Sequence, residues 1–407
     1  MKLLVVVSSI YDKDLFKKRK SITGIEIMVR DILNGVFEEI DCSVFTTSLK
    51  SKGQRIGKIE LLPNDFFCFL RLTQRAGTER FKSFFSELRG MCFIQRFKLA
   101  ISMTLLDYHI SVLKPDIVNI HDLNDWNTYF VKKILPTGVK VLLTDHLYIG
   151  KKARTYGYRR LKENEDAIFD TLYKNLFVSF VSSGMRNRFL IDYPSFPHDN
   201  VYCVVNGTNT KGASLNDLKR PAVYNRIQGR KVLLCIGGFT ARKNQQAIFD
   251  AVKLMNQEER DTIRIILIGA GRSIKMNRIL QKENVADVII NVETVRPSDM
   301  ASYYYYSNGT ITTSLNESFG LTIIEGFCYG KPAVLFDDID SFEDIYDKKV
   351  CVPIHNHTPA DVKQAIFKAI CSTWDVDYIK SYVSKFSLPR VQKDYFELYE
   401  KINKYIF

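Results

Sequence analysis

Short runs of β-branched and apolar residues, each followed by a longer amphipathic stretch, recur along the chain and demand parallel strands joined by crossover helices. Six such runs occupy the first half, at residues 3–8, 43–47, 116–120, 140–144, 178–181 and 202–205. A polar stretch over 206–230 interrupts the series, and five more runs follow at 231–236, 264–268, 288–292, 309–313 and 333–336. A single sheet holding all of them would be unusually wide, and 407 residues exceed what one hydrophobic core usually supports. The sequence therefore predicts two doubly wound α/β domains, at 1–210 and 211–385, followed by a terminal helix over 386–407. In that last segment Tyr395, Leu398, Tyr399, Ile402 and Tyr405 recur at helical spacing, which suits a return onto the first domain.

No apolar run approaches the roughly 18 residues of a membrane span, so the chain is not expected to cross a bilayer. Its apolar opening, from Lys2 to Val7, is short and soon followed by Asp12, Lys13 and Asp14, which reads as a buried strand rather than an export signal. The eight cysteines form no C-x-x-C pair and no cluster with histidine, as expected of reduced core residues in a cytoplasmic protein.

The net charge of +13 matters for where it gathers. One basic run holds Lys13, Lys17, Lys18, Arg19 and Lys20. A second stretch, over 66–98, interleaves Phe67, Phe69, Phe81, Phe84, Phe85, Phe93 and Phe97 with Arg71, Arg75, Arg80, Lys82, Arg89, Arg96 and Lys98. Two readings of it stay open: solvated helix faces over a core-facing aromatic stripe, and contact with an anionic membrane surface or a lipid acceptor. The basic residues fit no recognisable nucleic-acid reader.

Ligands of open parallel sheets bind beyond the carboxyl ends of the strands. After the run at 309–313 comes Asn316-Glu317-Ser318-Phe319-Gly320-Leu321-Thr322-Ile323-Ile324-Glu325, followed by Gly330-Lys331-Pro332. A carboxylate sits in a turn, Gly320 lets backbone approach a ligand, and a helix starts near Leu321 with its first N–H groups free. This is a phosphate seat flanked by two acids, with Glu325 one turn inside and suited to accept hydrogen bonds from vicinal hydroxyls. After the run at 231–236, Gly237-Gly238-Phe239-Thr240-Ala241-Arg242-Lys243 sets two cations where they neutralise a diphosphate leaving group.

The first of these segments resembles the signature of the retaining family-4 glycosyltransferases, in which two glutamates separated by seven residues bracket a Ser-Phe-Gly-Leu-like turn and precede Gly-x-Pro. The resemblance implies the GT-B architecture, two Rossmann-like domains facing each other across a cleft. It implies that Glu317 contacts the donor sugar as a catalytic residue, that Glu325 holds the ribose, and that the turn Phe319-Gly320 and the N–H groups of Leu321 and Thr322 meet the diphosphate. The second segment resembles the family's Gly-Arg-x-x-x-x-Lys, with Lys243 on the lysine but Gly238 where the arginine belongs; Arg242 is the candidate substitute.

Supporting matches run in order along residues 1–400. Thr23-Gly24-Ile25-Glu26 resembles the first glycine-rich loop, placing Gly24 at the donor. The segments ending in His121 and His146 resemble the family's histidine-tipped strands, with His146 near the reacting centre. Asn206-Gly207 resembles its interdomain turn and Gly269-Ala270-Gly271 its Gly-x-Gly strand end, which does not continue into the third glycine of a dinucleotide fingerprint. His355 and His357 read as surface residues, and Asp338-Ile339-Asp340 as a loop. The implied activity is transfer of a sugar from a nucleoside diphosphate sugar to a glycan or lipid-linked acceptor, without metal or other cofactor, in bacterial surface polysaccharide synthesis. The alternative is a degenerate subunit that binds sugar nucleotide without turnover.

Overall fold

A computed structural model describes residues 1–7, 24–36, 40–47, 53–56, 59–72, 78–88, 91–123, 125–150, 159–171, 173–227 and 229–406. The basic run at 13–20, Ser8, Thr23, Arg75 and Arg89 lie outside these residues. The chain forms two compact units, one of Met1–Val181, Met185–Val204 and Pro389–Phe407, the other of Ser182–Gly184 and Val205–Leu388.

The first unit is built on eight strands: β1 (Lys2–Val7), β2 (Asp41–Thr46), β3 (Gln54–Ile56), β4 (Ile59–Leu61), β5 (Ile117–His121), β6 (Lys140–Asp145), β7 (Leu176–Phe180) and β8 (Val201–Cys203). Their order is β3-β4-β2-β1-β5-β6-β7-β8, parallel throughout except for the β3–β4 pair. From its second residue onward β1 is buried, and β5 and β7 are buried along their whole length, because helices cover both faces of a parallel sheet and leave no polar side for alternation. The helix Leu388–Lys404 lays Val391, Tyr395, Leu398, Tyr399 and Ile402 into the core formed by Leu3, Val5, Val29 and Leu33.

The second unit carries β9 (Lys231–Ile236), β10 (Ile263–Ile268), β11 (Ile289–Val292), β12 (Gly309–Thr312), β13 (Ala333–Phe336) and β14 (Cys351–Ile354), in the order β11-β10-β9-β12-β13-β14, all parallel. Three strands go beyond the sequence reading. β3 and β4 hold three residues each, too few to register a period. β14 contains Pro353, which cannot donate to a ladder on both sides, and it lies at the sheet edge, paired only with β13.

Candidate functional site

In the second unit the chain leaves β9 toward β10 and β11 on one side and returns to β12, β13 and β14 on the other, so the topological switch falls between β9 and β12. The loops after these two strands carry Lys243 and Glu317. Gly237 follows β9 at φ 140°, a conformation that favours glycine, with its N–H on the Ile268 carbonyl at 2.8 Å. The buried Gln245 amide donates to the Gly238 carbonyl at 2.9 Å. Two bonds tie the loops together: Leu315 N–H to the Arg242 carbonyl and Thr313 Oγ1 to the Asn244 carbonyl, each 2.8 Å.

Within this frame Lys243 Nζ meets Glu317 Oε2 at 2.5 Å, with 18% and 12% of the two side chains exposed. Burial by itself would push the Glu317 carboxyl up. The ammonium of Lys243, with help from Arg242 and Ser314, outweighs it and holds the carboxyl below its ordinary range. Arg242 donates from Nη1 to the Asn316 carbonyl at 3.0 Å, so both cations grip the loop that carries Glu317. A Cβ added at Gly238 would meet only Thr240 Cγ2, at 3.9 Å. A Cβ is therefore tolerated there.

Gly320, at φ 82°, starts the helix Leu321–Phe327 and provides no side-chain cap. The helix has seven residues, so what it offers at Leu321 and Thr322 is local N–H groups rather than a long dipole. Phe319 is 2% exposed and packs its ring on Phe386 at 5.7 Å. Its side chain supports the turn through this contact rather than facing solvent. Glu325 accepts from Tyr304 OH at 2.6 Å; burial raises its carboxyl, while this bond works the other way. Tyr304 is itself buried, with its ring parallel to Tyr329 at 5.9 Å. Sequence reasoning missed Tyr304, although the run Tyr303 to Tyr306 was a visible oddity.

In the first unit the corresponding switch lies between β1 and β5. Gly24 is the first residue of the helix Gly24–Val36 that follows β1 in the chain. His121 ends β5 and His146 follows β6 directly. His121 Nδ1 and His146 Nε2 are 2.9 Å apart and share one proton, their rings stacked at 5.2 Å. Burial holds both imidazoles neutral, His146 down at about 3 and His121 well below its usual value. His146 Nδ1 has no hydrogen-bond partner among the described residues.

Asp122, at φ 64°, takes the His146 N–H on Oδ1 at 3.3 Å, and burial lifts its carboxyl to about 7. The Asn127 amide satisfies the carbonyls of His121 and Asp122 at 2.8 and 2.7 Å. Beyond His146 the backbone is clamped from both sides. Glu165 accepts the N–H groups of Ile149 and Gly150 at 2.7 and 2.8 Å, and Arg188 donates to the carbonyls of Ile149 and Tyr148 at 2.7 and 2.8 Å. Burial raises the carboxyls of Asp145 and Glu165 as well. Neither Asp122 nor this clamp was foreseen from sequence. His355 and His357 are exposed beside Asp337 and Asp338, at 2.7 and 3.1 Å.

Residues 217–373 match the family model described as Glycosyl transferases group 1. The chain is 27% identical over 150 residues to alpha-monoglucosyldiacylglycerol synthase of Streptococcus pneumoniae, a stretch spanning 37% of this chain and 33% of that protein. It is 30% identical over 145 residues to the amylovoran biosynthesis glycosyltransferase AmsD of Erwinia amylovora, spanning 35% of this chain and 39% of that one. These alignments thus span 33% and 39% of the two relatives. Over 98% of both chains it resembles the structure of an alpha,alpha-trehalose-phosphate synthase (UDP-forming) from Burkholderia vietnamiensis, at a TM-score of 0.70 and 13% identity. At that identity the likeness concerns the fold, two Rossmann-like α/β units of the GT-B kind.

Proposed function

From the match of residues 217–373 to the Glycosyl transferases group 1 model, we propose that the chain moves a sugar from a nucleoside diphosphate sugar to a hydroxyl of a glycan or lipid-linked acceptor, retaining the anomeric configuration. The observation that carries this reading is the Lys243–Glu317 pair at the switch point of the second sheet. A diphosphate bearing more than one negative charge competes with a single carboxylate for the ammonium, so the donor takes Lys243 and releases Glu317 toward the sugar. Glu325, aligned by Tyr304, keeps Oε1 for the ribose hydroxyls.

In the reaction the bond between the anomeric carbon and the β-phosphate oxygen breaks, and its electron pair leaves on that oxygen. The acceptor hydroxyl attacks from the same face, and its proton passes to the departing phosphate. The protein's part is to stabilise charge on the leaving group with Lys243, Arg242 and the N–H groups of Leu321 and Thr322. His146, neutral through the working pH range, serves as a hydrogen-bonding group and not as a cation.

One curated relative is named for a glucosyldiacylglycerol and the other for amylovoran biosynthesis, which supports lipid-linked and glycan acceptors; the setting we assign is bacterial surface assembly on the cytoplasmic side. The reading needs no divalent cation or other cofactor, so turnover should persist in EDTA. The deciding experiment is a thermal-shift panel of UDP-, GDP- and ADP-sugars, followed by an assay of nucleoside diphosphate released on adding acceptor. One sugar nucleotide should raise the melting temperature and be turned over. A shift without release would instead favour a degenerate binding subunit, the reading to which Gly238 lends support.

A further inference from the structure

The aromatic stretch over 66–98 faces the core only in part, through Phe69 and Phe84. Three helices of the first unit, Phe66–Leu72, Thr78–Glu87 and Phe93–Leu113, bring six phenylalanine rings into one continuous plate. Phe81 lies at its middle, 5.1 Å from Phe69, 5.6 Å from Phe85 and 5.5 Å from Phe97, while Phe66 and Phe93 both reach Phe97, at 6.4 and 6.2 Å. Phe69 is buried and Phe81, Phe85 and Phe97 are half-buried. Phe66 is 47% and Phe93 69% exposed, and their chain neighbours Phe67 and Ile94 are 72% and 65% exposed. A patch of this kind on one side of a folded chain is not needed for its core and marks a contact surface.

The cations around the plate decide what that contact is. Arg71, Arg80, Lys82 and Lys98 are exposed, and the Arg96 guanidinium covers the Phe85 ring at 3.8 Å. Over 65–98 the sequence holds seven cations against three acids. Two copies meeting plate to plate would bring like charges together. An anionic surface with an apolar interior satisfies both features at once, the phosphates taking the cations and the acyl boundary taking the rings. We propose that this face docks the first unit shallowly into an anionic lipid bilayer, with Phe66, Phe67, Phe93 and Ile94 entering the headgroup boundary and Arg71, Lys82 and Lys98 lying at the phosphates.

The inference does not depend on the glycosyl-transfer reading, since its test measures membrane binding without substrate. The full chain is co-sedimented with phosphatidylcholine vesicles with and without phosphatidylglycerol, at low and at ~1 M salt. Binding should require phosphatidylglycerol and weaken in high salt. Phe67→Ser/Ile94→Ser, which leaves the ring contacts of the plate intact, should lower partitioning at least about tenfold. Lys82→Glu/Lys98→Glu should lower it about as much and abolish the preference for anionic vesicles. Both variants alter exposed side chains and should melt like the parent, which a thermal scan checks. No binding of the parent at low salt, equal binding to neutral vesicles, or variants that bind like the parent would overturn the proposal. So would a dimer in sedimentation velocity that only the Phe67→Ser/Ile94→Ser variant dissociates.

Discussion

The two sites handle charge in opposite ways. At the switch point of the second unit, Glu317 is buried yet kept ionised, because Lys243 and Arg242 more than offset its lost hydration. In the first unit, burial without a full counter-charge drives His121 and His146 to the neutral form and lifts Asp122, Asp145 and Glu165 toward it. On the proposed function, the second unit would use a charge that can change partners, and the first a network of neutral groups able to hydrogen-bond hydroxyls. A cleaving diphosphate needs the former and a sugar or alcohol acceptor the latter.

The largest expected effect tests whether charge is the lever in the second unit. Lys243→Ala should lower kcat by roughly 10²–10³-fold, and Glu317→Ala should be comparably damaging but not additive with it, since the two side chains act as a pair. Steady-state kinetics on the singles and the double decide; additive losses would break the comparison. The first unit should instead reveal itself in pH. Asp122 and the neighbouring Asp145 both titrate at about 7 and His146 at about 3, so an inflection of the rate near 7 should shrink in Asp122→Asn and persist unchanged in His146→Gln.

Stability should follow the same division. An unfolded carboxyl loses its proton near ~4, whereas Asp122 keeps its own up to about 7. Between these values the folded chain holds more protons, so this contribution is lost as pH rises through 7. His146 acts in the other direction, because the unfolded imidazole takes up a proton below ~6.5 and the folded one does not. Above ~6.5 only the carboxyl trend remains. The melting temperature should fall from pH 6.5 to 8, by less in Asp122→Asn, as calorimetry would show.

Smaller effects sharpen the picture. Tyr304→Phe removes the bond that aligns Glu325 and should raise the donor KM about fivefold with little change in kcat. Gly238→Arg should fold, because a Cβ there meets no close neighbour, and should tighten nucleoside diphosphate binding by less than about threefold.

What was legible in the sequence was local. Eleven of the fourteen described strands showed as apolar runs, and the turn from Glu317 to Glu325 is set by its own glycine and by the helix that follows. Tyr304 was hidden because its partner Glu325 lies 21 residues away, and the packing of Tyr304 in a core with Val232, Leu234, Ile266 and Ile268 brings them together. Asp122 was hidden for a similar reason: its neighbours Thr144 and His146 come from the next strand. The phenylalanines of 66–98 show a different limit. Their spacing foretold a stripe, yet spacing cannot tell which face water sees, and the structure buries Phe69 and Phe84 while exposing Phe66, Phe67 and Phe93.

The central claim is that a diphosphate takes Lys243 from Glu317. Calorimetric titration of UDP, GDP and ADP into the wild type, Lys243→Ala and Glu317→Ala tests it without any acceptor. One nucleotide should bind the wild type, about tenfold or more weakly to Lys243→Ala, and at least as tightly to Glu317→Ala, where the ammonium no longer has to leave a partner. Equal affinity in the wild type and Lys243→Ala, or weaker binding to Glu317→Ala than to the wild type, would contradict it.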